Sequence, residues 1–223
     1  MSESNYKNFN HLKVHSQYSI CEGAIKIDQL KDKAKESKIN SIGLCDTSNL
    51  CGAIEFSDRL SKVGTQPIIG TQIFFKFKEF TGFIPLIAKN IVGYKNIIEL
   101  SSSSYLKNNQ LSEPHIEFDE LIVKSNGVAL FSGTVFGLFG KLFEKGRFTE
   151  IHAIYEKIKN IFEDRFYIEI QRHNDLNEIG FENFNLKKSL DLEIPLIATN
   201  EVFYLNKEMH EAHDALICIG NKT

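Results

Sequence analysis

The stretch HLKVHSQYS (11–19) sets His11, Lys13 and His15 two apart, so an extended chain turns all three to one side. Two imidazoles facing the same way are metal-ligand material, but a lysine between them brings a charge that opposes a bound cation. Other polar candidates sit at the ends of apolar runs. Asp46 closes SIGLCD, Gln72 lies in PIIGTQIFFKF, Ser132 and Gly133 close GVALFSG, His173 closes RFYIEIQRH, and Asn200 and Glu201 lie in PLIATNEVFYL. A hydrolytic metal needs at least three convergent donors, and His15, Asp46 and Glu201 are such a set if they converge. The plain alternative is that polar residues cap strands where strand ends meet water.

The elements that must position these residues alternate. LKVHS (12–16), SIGLCD (41–46), PIIGTQIFFKF (67–77), FIPLIAKN (83–90), GVALFSG (127–133), RFYIEIQRH (165–173) and PLIATNEVFYL (195–205) read as seven strands. Helical spacing marks 24–38, 52–64, 136–146, 148–162, 177–193 and 208–220, and the first half of 90–107. Ile151, Ile154, Tyr155, Ile158, Ile161 and Phe162 form the clearest helical stripe. NNQLSEPHIE (108–117) is the best loop. Apolar strands alternating with amphipathic helices argue for a parallel sheet covered on both faces. A single β/α barrel over residues 1–223 is the expectation, with an open doubly wound sheet as the alternative. In a barrel the working residues stand at the C-terminal strand ends. No glycine-rich phosphate loop follows the first strand.

Composition narrows the class. Lys+Arg number 26 and Asp+Glu 29, a net charge of -3, without the basic excess of a domain that grips nucleic acid by itself. Cys21, Cys45, Cys51 and Cys218 form no CxxC pair and read as free thiols of a reducing compartment. MSESNYKNFN lacks an apolar signal core, and no apolar run approaches the roughly 18 residues of a membrane span. A cytoplasmic protein is expected.

Seven motifs in order carry a resemblance: HLKVHSQYS, GLCDTSNLCGAIEF, QPIIGTQIFF, IPLIAKNIVGYKNIIEL, ALFSG, FYIEIQRHN and PLIATNEVFYLNKEMHEAHDALICI. Together they resemble the N-terminal PHP domain of the bacterial replicative DNA polymerase III alpha subunit, from Phe9 to about Thr223. The resemblance implies a distorted seven-stranded β/α, TIM-like barrel, and an excised N-terminal segment of a longer subunit. It also implies a cluster of metal ions in active members, used for phosphoester hydrolysis. The family's metal positions fall here on Lys13, His15, Glu22, Thr47, Gln72, Phe83, Thr134, Glu201 and Phe203. Six of these nine cannot serve as good ligands. His11 is expected to be a structural histidine, and His11, Asp46, His173 and Asn200 are the further candidates for the cleft. His152, His210 and His213 are expected in surface or packing roles.

The resemblance thus implies a metal-free, catalytically silent domain that supports the polymerase and docks a proofreading exonuclease subunit. DNA would be met only through the full-length enzyme, whose magnesium would lie outside this chain. The rival is a working phosphoesterase, a 3'-5' exonuclease or pyrophosphatase, on a reduced site of His15, Glu22, Asp46 and Glu201. Lys13 is expected either to pair with Glu22 or Glu201 in place of the metal or to extend its ammonium into solvent. Phe83 and Phe203 are expected to be largely buried, filling the volume the ions would occupy.

Overall fold

The structure is a computed structural model that describes residues 9–108, 114–173 and 175–222. The chain packs as two compact units. The first takes the described residues up to Gly70 and those from Asn200 on; the second runs from Thr71 to Thr199.

In the first unit a short strand β1 (Lys13–Val14) is followed by helix α1 (Ile27–Glu36), strand β2 (Ser41–Thr47), helix α2 (Ala53–Ser61) and the start of strand β3 (Gln66–Phe77). The chain returns as strand β9 (Glu201–Val202) and helix α8 (His210–Asn221). β1 is the middle strand, parallel to β2 through Val14 and Leu44 and to β9 through Lys13 opposite Glu201. The apolar positions of α1, Ile27, Leu30 and Ala34, fall on one helical face and meet Val14, Ile42 and Leu44 from the strands and Phe56 and Leu60 from α2.

The second unit holds the rest of β3, then β4 (Phe80–Ala88), α3 (Ile91–Leu106), β5 (Ile116–Glu117), α4 (Phe118–Val123) and β6 (Val128–Phe131). α5 (Leu138–Glu144), α6 (Phe148–Phe162), β7 (Phe166–Ile170), α7 (Leu176–Leu192) and β8 (Leu196–Ala198) complete it. β6, β7 and β8 are parallel, whereas β4 runs antiparallel to β6. Lys78 and Glu79 alone join β3 to β4, and so short a connection reverses the chain.

The mixed α/β class stands, but the strand count differs: nine strands lie among the described residues where seven were expected. PLIATNEVFYL is two strands, because β8 pairs with β7 while β9 pairs with β1, and Thr199 and Asn200 carry the change of partner. α3 continues through its serines to Leu106, since Leu100, Ser101 and Ser104 are buried and the Ser104 hydroxyl bonds the Ser101 carbonyl at 2.7 Å. Burial there overrides the weak helix propensity of serine. The loop expected over 108–117 ends in strand β5, its residues 109–113 lie outside the described ones, and α4 follows unforeseen on buried Phe118 and Leu121.

The start of α3 is clamped. Asn90 caps it by accepting from the Gly93 N–H at 3.0 Å, and Gly127, at φ +71°, brings its carbonyl to the Lys89 N–H at 2.9 Å. A Cβ on Gly93 would overlap the Gly127 carbonyl. Gly93→Ala, a change that in a free helix stabilises by about 1 kcal/mol, is therefore expected to destabilise by on the order of 1–3 kcal/mol, read from the urea midpoint.

Candidate functional site

The candidate site of the first unit is built on the β1–β9 pairing. Parallel register puts Lys13 directly opposite Glu201, and the Lys13 ammonium lies 2.7 Å from Glu201 Oε1. Lys13 is 1% exposed, so the solvent-reaching alternative does not hold; Glu201 is 22% exposed. A buried ammonium is tolerable only with a carboxylate at this range.

His15, two residues on, shares that side of the chain and is wholly buried. Its Nδ1 lies 3.4 Å from the Ser19 hydroxyl, whose own proton goes to Asp46 Oδ1 at 2.8 Å. Nδ1 therefore carries the imidazole proton, and Nε2, with no hydrogen-bond partner, faces Glu201 Oε1 at 4.0 Å. Burial pushes the His15 pKa down to about 4, with Lys13 adding to the fall and Glu201 opposing it. The ring is neutral at pH 7. Phe203 stacks on it with centroids 4.4 Å apart, and His213 of α8 stacks on Phe203 at 5.6 Å.

Asp46, at the end of β2, is fully buried. It accepts from the Ser16 N–H at 2.6 Å, the Ser16 hydroxyl at 2.8 Å and the Ser19 hydroxyl. Burial raises its pKa and these bonds oppose the rise. Glu22 accepts from the Thr47 hydroxyl at 2.5 Å, and His213 Nε2 donates to the Glu22 carbonyl at 2.8 Å. Ser16, Ser19 and His213 are contributors that spacing does not single out: serines at a strand end give no periodic signal, and His213 reads as one more helix-surface residue.

The structure thus brings Lys13, His15, Glu22, Asp46, Thr47, Glu201 and Phe203 into one unit. His11 stays at its edge, half-buried, edge-on to Phe9, with burial lowering its pKa. Asn200 is exposed. Gln72, Phe83, Thr134 and His173 belong to the second unit. There Gln72 is buried in β3, the Phe83 ring lies tilted against Phe74 with centroids 3.7 Å apart, the Thr134 hydroxyl accepts from the Phe136 N–H, and exposed His173 lies 3.1 Å from Glu178. Phe83 and Phe203 are each mostly but not fully buried, and each packs against a neighbouring ring. Among the described residues no group of three or more His, Cys, Asp or Glu side chains gathers closely enough to hold an ion, and no helix is long and apolar enough to cross a membrane.

Comparison with known families places this arrangement. The model of the PHP domain matches residues 11–173. The chain belongs to the PHP domain family. This PHP domain is 37% identical over 99% of its length to the DNA polymerase III subunit alpha of Caulobacter vibrioides, and 37% identical over 95% to that of Borreliella burgdorferi. It spans 20% and 19% of those proteins, about a fifth of their length. Among solved structures it is similar in fold to a two-domain protein from Bacteroides vulgatus containing a predicted PHP-like metal-dependent phosphoesterase. The TM-score is 0.53 at 14% identity, covering 87% of this chain and 51% of that one.

Lys13→Met should destabilise by about 1–3 kcal/mol near neutral pH, less once acid protonates Glu201. Glu201→Gln should cost more, roughly 3–5 kcal/mol, because it strips the carboxylate from a buried ammonium; urea midpoints of the two variants and their double mutant measure both. His15 supplies a pH dependence of known sign. Its folded pKa of about 4 lies below the ordinary 6.5, so the unfolded chain binds the proton first. Stability should fall as pH drops from about 6.5 towards 4, by on the order of 3 kcal/mol, and His15→Leu should lack that component.

Proposed function

We propose that this chain is a metal-free, catalytically silent PHP domain of a DNA polymerase III alpha subunit, acting as structural support for the polymerase and as a docking platform for a proofreading exonuclease subunit. The observation that carries the silent-site reading is the ion pair of Lys13 with Glu201. The ammonium stands against the carboxylate that a cation would need, and it adds positive charge there.

The remaining donors point the same way. Asp46 is occupied by three hydrogen bonds from Ser16 and Ser19, and Glu22 by the Thr47 hydroxyl. His15 Nε2 is one neutral nitrogen, and Phe203 covers its ring with carbon. A catalytic metal held by three protein ligands and a water does not fit these residues, and without it no metal-bound hydroxide forms near neutral pH. The docking role is supported by the likeness to polymerase subunits about five times as long as this chain. Solubility in the cytoplasm belongs to the same proposal.

Purified chain should carry no stoichiometric zinc, manganese or iron by elemental analysis. It should neither release nucleotides from a primed DNA end nor hydrolyse pyrophosphate with manganese present. Two or more ions per chain, or manganese-dependent turnover abolished by His15→Ala, would overturn the silent reading. Sedimentation of the chain with a replicative exonuclease subunit should show a complex; independent sedimentation would remove the docking role.

A further inference from the structure

Just past the ends of β6, β7 and β8 in the second unit stand Ser132, Gln171 and Thr199, and buried polar side chains gather around them. Asn185 of α7 is wholly buried, and its Oδ1 accepts from the Tyr155 hydroxyl of α6 at 3.2 Å. Its Nδ2 has two N–H bonds to give and no hydrogen-bond partner among the described residues. Glu169 of β7 is 3% exposed. Its Oε1 accepts from Gln171 Nε2 at 2.8 Å and from the Thr199 hydroxyl, and its N–H donates to the Ser132 hydroxyl at 2.9 Å. Buried amide donors are seldom left unmet in folded proteins, so the Asn185 Nδ2 calls for a partner.

A cavity of about 20 Å³ is walled by both Asn185 and Glu169, together with Thr134, Val135, Gln171 and Phe181. Tyr155 is not one of its walls, so the Nδ2 end of Asn185, and not the end bonded to Tyr155, faces it. That volume suits one water, which needs about 10–15 Å³ and two to four polar partners. It is far below the roughly 300 Å³ of an organic ligand's pocket.

The walls select by chemistry as well as by size. An occupant here must accept from an amide N–H and donate to a carboxylate, a group that takes about four donors. Water does both. A bare monovalent cation would stand against the N–H. If the amide is turned over, Oδ1 stands beside the carboxylate, and a water still bridges the two acceptors with its two protons.

We propose that this cavity is a binding site for one ordered water, held between the Asn185 amide and the Glu169 carboxylate. Through Glu169 that water ties α7 to Ser132, Gln171 and Thr199, and through Asn185 to Tyr155 of α6. A bridge of this kind is nearly as favourable as a direct hydrogen bond.

Crystals of the chain, one set grown in sodium salts and one soaked in thallium(I), test it. The map should show a single water within hydrogen-bond reach of the Asn185 amide and the Glu169 carboxylate. The thallium crystals should show no anomalous peak there. In solution, oxygen-17 relaxation dispersion should count one long-lived water fewer in Asn185→Leu than in the parent. A dry cavity in a map that shows other buried waters, an Asn185 amide bonded directly to a protein acceptor, or a thallium peak would each overturn the proposal. A folded Asn185→Leu variant that keeps the parent's count would do the same. Should that variant not fold, the parent's map decides alone.

Discussion

A lysine ammonium buried at the end of a strand must meet a carboxylate, and much of the first unit is arranged around that need. Lys13 reaches Glu201 only because β1 and β9 pair in parallel with those two residues opposite each other. The same register places His15 beside Val202, whose carbonyl accepts the His15 N–H at 2.9 Å, and lays Phe203 over the imidazole. The ring is kept neutral by burial, so the ammonium and carboxylate are not joined by a second cation.

Hydroxyls do the rest. Ser16 and Ser19 donate to Asp46, and Thr47 donates to Glu22. The cleft of the first unit is thus held by one ammonium–carboxylate pair, several hydroxyl donors and an aromatic ring stacked on His15.

Legibility in the sequence followed the strength of the local signal. α6 occupies 148–162 as its stripe of isoleucines requires, and β2 runs one residue past SIGLCD. The split of 195–205 was hidden, because nothing local says that β8 and β9 take different partner strands. α4 was hidden by its length, and the serine half of α3 by a propensity that burial reverses. At the site, the resemblance left Lys13 to pair with Glu22 or Glu201 or to reach solvent, and the β1–β9 register decides for Glu201. The resemblance did not point to Ser16, Ser19 or His213, whose roles exist only once β1 and β2 lie side by side and α8 folds back on Glu22.

The central claim is that an ammonium replaces divalent ions in the cleft. It is tested most directly by melting the chain in chelator and again across a rising series of manganese and zinc concentrations. Any ion bound by the folded state alone stabilises it, by about 2.7 kcal/mol at a hundredfold excess over the dissociation constant. The account predicts one melting temperature throughout. A saturable rise with metal that disappears in His15→Ala would contradict it.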